Sequence, residues 1–128
     1  MRYAGYGLLL TILLTGCASV DTVKEAQGEG VTKVYAAAYE PVYKAALSAA
    51  KTLELEVVEK NPEAGRIVLS HGVTPLSWGE RIAVFLTKVD DRSTEVEIVS
   101  KPVLEPLNFP PDWPRRLFAE MDRELAGS

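Results

Sequence analysis

The apolar positions change their period several times along the chain, and each change marks an element. Residues 8–14 are an unbroken apolar run but for Thr11. Residues 18–30, ASVDTVKEAQGEG, are polar and almost aperiodic, which predicts a flexible tether with a reach of about 20 Å, the alternative being one turn of helix over Val20 to Ala26 docked on the domain. From Val31 alternation sets in: Val34, Ala36 and Ala38 alternate with Lys33, Tyr35 and Ala37, a short strand whose inner face carries small residues. Pro41 then fits the first turn of a helix. Val42, Ala46, Ala49, Ala50 and Leu53 follow at i, i+4, i+7, i+8 and i+11, a single stripe, with Lys44, Ser48 and Lys51 away from it. An alanine-rich stripe lets a helix lie close to the surface that it covers.

The period then returns to two. Leu55 and Val57 alternate with Glu54, Glu56 and Val58, and Ile67 and Leu69 with Arg66, Val68 and Ser70, with the turn residues Asn61, Pro62, Glu63, Ala64 and Gly65 between them. A second hairpin sets Ile82, Val84 and Leu86 against Val96 and Ile98 across Asp90, Asp91 and Arg92. Directly opposed residues share a face. Val57 therefore meets Leu69, and Leu55 meets His71, only across a turn of three or five residues, and the same parity holds for the second hairpin. This assignment leaves Val58, Val68, Ala83, Phe85 and Val99 on the other face, a patch that a monomer rarely leaves open.

After Ser100 the prolines at 102, 106, 110, 111 and 114 exclude a regular helix or an inner strand, so residues 102–114 read as an extended arm. Its apolar residues, Val103, Leu104, Leu107, Phe109 and Trp113, are too many for a solvated linker. Asp112 suits an N-cap, and Leu117, Phe118, Met121 and Leu125 form one face of a closing helix. The elements predict one α+β domain over residues 31–128, a β-α-β-β-β-β-α antiparallel sheet with two helices on one face, a helix-grip or TBP-like arrangement.

Charge narrows the function. The 14 basic side chains against 18 acidic ones give a formal charge of −4, which argues against nucleic acid as a partner. The start of the chain narrows the location. Arg2, the apolar run and the small residues after it have the layout of an export signal, and the run is far shorter than the roughly 20 residues needed to span a bilayer. Leu14, Thr15, Gly16 and Cys17, which close that run, resemble the lipobox of bacterial lipoproteins. The resemblance implies that residues 1–16 are a signal peptide, that Cys17 carries a diacylglycerol, and that residues 17–30 are the acylated cysteine and its tether. Ala18 in place of Asp implies sorting to the outer membrane with the domain facing the periplasm, or the outer face of the cell membrane where there is only one. Each buried methylene contributes about 0.8 kcal/mol, so two or three acyl chains make a permanent anchor. A buried free cysteine or an ordinary signal peptide are the competing readings of Cys17.

The stretch PVYKAALSAAKTLELEVVEKNPEAGRIVLS, with Asn61 to Ile67 as its hairpin turn, resembles the small domains of BamC-type envelope lipoproteins over roughly residues 31–101. The resemblance implies a non-enzymatic module accessory to an envelope protein assembly.

Catalytic chemistry finds little to stand on. His71 is the sole histidine and Cys17 the sole cysteine, and there is no HExxH, GxSxG or glycine-rich phosphate loop, so no catalytic residue, metal ligand or cofactor is assigned. Asp90 and Asp91 read as turn chemistry, and Glu54, Glu56, Glu59, Glu95 and Glu97 as the wet side of strands. Two stranded apolar regions remain. One is the connection from Val73 to Gly79 with Leu76 and Trp78; the other is the sheet face with Phe85. Either the arm, with Phe109 and Trp113, folds over them, or they meet an envelope protein. A carrier of an acyl chain in a sheet–helix cavity is the alternative function.

Overall fold

A computed structural model describes residues 20–75, 79–104 and 109–127. The elements run α1 (Val20–Lys24), β1 (Val31–Tyr35), α2 (Tyr39–Thr52), β2 (Glu56–Asn61), β3 (Arg66–His71), β4 (Glu80–Asp90), β5 (Ser93–Pro102) and α3 (Trp113–Ala126). The strands form one antiparallel sheet in the order β1-β5-β4-β3-β2, so β1 leaves the hairpins and closes the far edge beside β5. This is the expected α+β fold, with α2 and α3 on the inner face of the sheet. Leu55, Ile67, Leu69, Ile82, Val84, Leu86, Val96 and Ile98 from the sheet pack in one core with Val42, Ala46, Ala49 and Ala50 of α2 and Leu117 and Met121 of α3. Side chains fill this layer: Ile67, Leu69, Ile82, Ile98, Leu117 and Met121 are all fully buried.

The helix ends follow from local chemistry. Asp112 accepts a hydrogen bond from the backbone N–H of Arg115 at 3.2 Å, and Pro114 sits in the first turn, where it sacrifices no helical bond. At the C-terminal end of α2, Leu55 N–H bonds Ala50 O at 2.9 Å and Glu54 N–H bonds Lys51 O at 3.0 Å. That pairing needs a left-handed residue after the helix, and Glu54 supplies it at φ 59°, a position that favours glycine.

The hairpins obey the face parity in an unexpected way. Val57 pairs with Leu69, Val84 with Ile98 and Leu86 with Val96, as expected, yet the last pairs, Asn61 with Arg66 and Asp90 with Ser93, leave even loops of residues 62–65 and 91–92. A bulge in each hairpin, between Val57 and Glu59 and between Lys88 and Asp90, supplies the odd residue. Gly65 completes the first turn at φ 71°, and a side chain there would collide with the carbonyl of Leu86.

Two expectations fail. Strand β1 has the opposite facing: Lys33 pairs with Val96 and Tyr35 with Thr94, so Tyr35 points into the core while Val34 lies outward and exposed. Three alanines after Tyr35 prolonged an apparent alternation past the end of the strand. The tether of residues 17–30 gives way, over its described part, to the alternative of a docked helix. Residues 20–24 are helix α1, laid across the outer face of the sheet, and Val23 and Ala26 are buried there with Val68, Ala83, Phe85 and Val99. It is this segment that packs on the patch. Val20, Val23 and Ala26 recur every three residues, a stripe too short to rise above the polar background.

Polar bonds finish the docking of this segment. Lys24 pairs with Glu59 at 3.1 Å and Lys101 with Glu29 at 2.7 Å. The backbone N–H groups of Gly28 and Gly30 both donate to Glu97 Oε2, at 2.7 and 2.8 Å. No helix among the described residues is long and apolar enough to cross a membrane.

Candidate functional site

The inward parity of β4 runs from Leu86 through Val84 and Ile82 to Glu80, and that of β3 from Ile67 through Leu69 to His71. His71 and Glu80 are register partners at the end of the sheet. A carboxyl group is thus delivered to the rim of the apolar core, where Glu80 is fully buried. The start of α3 lies over it. Trp113 Nε1 donates to Glu80 Oε1 at 2.8 Å, and His71 Nδ1 lies 2.9 Å from the same oxygen, donating in the form that carries a proton there. The His71 and Trp113 rings meet at 4.7 Å with a 56° tilt, and the Arg116 guanidinium stands 5.5 Å from the Trp113 ring centre.

This knot joins two connections. Glu80 pairs with Pro102 across the sheet, and Val103 N–H donates to Gly79 O at 2.8 Å, so the β3–β4 connection and the beginning of the arm are bound side by side. Trp113 fixes the arm's other end. Three large apolar side chains on these connections face water: Val73 is 70% exposed, Leu104 39% and Phe109 67%. The knot joins a histidine and a carboxyl group to an indole, and the described residues hold no group of three or more His, Cys, Asp or Glu side chains fit to bind a metal ion.

The candidate residues separate accordingly. Phe109 is exposed as a partner contact requires. Trp113 and Phe85 are not: Trp113 is buried between α3 and the sheet, and Phe85 is buried beneath α1, so neither offers a docking surface. Leu76, Trp78 and Cys17 lie outside the described residues. Sequence reading missed Glu80, although the inward alternation continued one step back from Ile82 would have reached it.

Elsewhere polar bonds tie the layers together. Ser48 on α2 donates to Glu124 on α3 at 2.8 Å. Asp122 on α3 accepts from Lys33 at 2.7 Å and from the Tyr35 hydroxyl at 2.9 Å. Burial works to raise the Asp122 carboxyl, but the hydrogen bonds from Lys33 and Tyr35, with the Lys33 charge, outweigh it and hold the group below the usual aspartate range. Burial, followed by the bond to Asp122, pushes the Tyr35 phenol above the usual tyrosine range. A cleft of about 510 Å³ lies between α2 and α3, lined by Glu40, Lys44, Ala45, Ser48, Glu124 and Leu125 among others.

No protein-family model matches the sequence, and no curated protein matches it. Among solved structures, the chain is similar to the di-domain ARO/CYC protein BexL from the BE-7585A biosynthetic pathway, at 16% identity and a TM-score of 0.46 over 75% of this chain and 43% of that one. It therefore spans less than half of BexL. It is also similar to Ara h 8.0201, at 9% identity and a TM-score of 0.43 over 75% of this chain and 95% of that one. These are likenesses of fold alone.

Proposed function

We propose that the protein is a bacterial envelope lipoprotein, anchored in the outer membrane through Cys17, whose domain docks an envelope protein partner as a non-enzymatic binding module. The lipobox-like Leu14–Cys17 segment and the BamC-like pattern over residues 31–101 supply the setting. The observation that carries the binding role is the exposure of Val73, Leu104 and Phe109 on two connections that one polar knot holds together. Apolar surface that a partner covers is removed from water, and that removal is the main favourable contribution to most protein association.

The test is a crosslinking pull-down from native membranes with the acylated protein, a Cys17→Ser control and the pair Phe109→Ser and Val73→Ser. A specific envelope protein that is captured by the wild type and lost in all three variants is the expected result. Capture unchanged by both serine variants, with the fold intact by circular dichroism, removes this end of the sheet as the docking site.

A further inference from the structure

The position of α1 fixes more than the cover of a patch. Val20 packs partly buried against the outer-face cluster, and Cys17 precedes it by three residues. Three fully extended residues span at most about 11 Å. A free tether through residue 30 would instead have reached roughly 45 Å when extended. From this shortening we infer that the domain rides directly on the bilayer surface, with the α1-covered face of the sheet toward the lipid and the α2–α3 layer toward the aqueous side. The inference rests on the reading of Cys17 as acylated.

The mount holds because each part of it is satisfied within the domain. Val23 and Ala26 are buried, Lys24 bonds Glu59, Gly28 and Gly30 bond Glu97, and Glu29 bonds Lys101. A side chain at position 30 would collide with the Ile98 carbonyl, so the path from α1 into β1 is a close fit. Charge attraction does not set the orientation. The basic groups on this face are engaged: Lys24 and Arg66 with Glu59, Lys101 with Glu29, and Arg81 with Ser70 Oγ at 3.0 Å. Glu95 and Glu97 share the face. Covalent reach alone orients the domain, so the orientation should be indifferent to anionic lipid.

Two labelling sites separate the predicted orientations. Thr87 is exposed on the α1 side of the sheet, by its pairing with Glu95, and Lys44 is exposed on α2. Thr87→Cys and Lys44→Cys carry a fluorophore on the acylated full-length protein in vesicles whose lipids bear spin-labelled headgroups. Sheet and helix layers lie about 10 Å apart, so headgroup quenching should be several-fold stronger at position 87 than at 44. It should stay so in neutral and in anionic vesicles. Inserting about twelve Gly and Ser residues between Ala18 and Ser19 should bring both sites to the same weak quenching, because the leash then lets the domain tumble. Equal quenching at both sites in the native chain, or stronger quenching at 44, overturns the inference while leaving the anchor intact. Mass spectrometry of the same sample reads the anchor separately: an unacylated Cys17 overturns this inference and the lipoprotein reading together.

Discussion

Removing either partner of the bond between Glu80 and Trp113 should cost stability, and removing both should cost less than the sum. Trp113→Phe keeps most of the ring in its buried site and takes away the N–H that donates to Glu80 Oε1 at 2.8 Å. Glu80 retains His71 at 2.9 Å, so the loss is that of one hydrogen bond and part of a side chain, about 1–2 kcal/mol. Glu80→Ala is harsher. It leaves the Trp113 N–H buried without this acceptor, about 1–3 kcal/mol, and empties a fully buried site, for a total of about 3–4 kcal/mol. Once Glu80 is gone the indole N–H has no bond left to lose. Trp113→Phe should then cost under about 0.5 kcal/mol in the Glu80→Ala background, a coupling of about 1 kcal/mol. Urea unfolding followed by far-ultraviolet circular dichroism reads these values from the midpoints at constant slope. Costs that add to within about 0.5 kcal/mol would refute the shared bond, and with it the knot that holds the arm to the sheet.

Two further substitutions test the frame. Glu54→Gly should stabilise the protein by about 1 kcal/mol, raising the thermal midpoint by several degrees, because a left-handed residue with a side chain costs roughly 1–2 kcal/mol that glycine avoids. Asp122→Asn should lower stability at neutral pH by under about 1 kcal/mol, since the ion pair with Lys33 is largely exposed. The folded Asp122 carboxyl is held below its unfolded value, so its contribution is complete above the unfolded pKa and is lost as pH falls through the folded one. Denaturant midpoints of wild type and variant should accordingly converge below about pH 4.

Much of the frame is legible in the sequence because it depends on periods sustained over many residues. The Val42 to Leu53 stripe, the Leu117 to Met121 face and the inward residues of β3, β4 and β5 each repeat often enough to set a face without tertiary information. Short elements lack that redundancy. In β1 the neighbours, not the residues, decide which side is buried, and the pairing of Tyr35 with Thr94 settles it. In α1 two buried residues suffice because Phe85 and Val99 are waiting on the sheet, a fact held some sixty residues away. The knot is half visible in the sequence: His71 is a rare residue type, whereas Glu80 carries no signal of its own, and only its register with His71 and the return of Trp113 bring the three together.

The sheet is open, and both of its margins are guarded. At one margin β1 is only five residues long, and Lys33 turns inward to meet Asp122. At the other, the irregular step between Val57 and Glu59 breaks the straight run of β2, and Glu56, Glu59 and Lys60 add charge beside it. Unpaired strand backbone invites another chain to add itself, and short length, inward charge and bulges all blunt that template. Under the proposed anchoring, copies would meet in two dimensions at high local density, and such margins would keep one from stitching itself to the next.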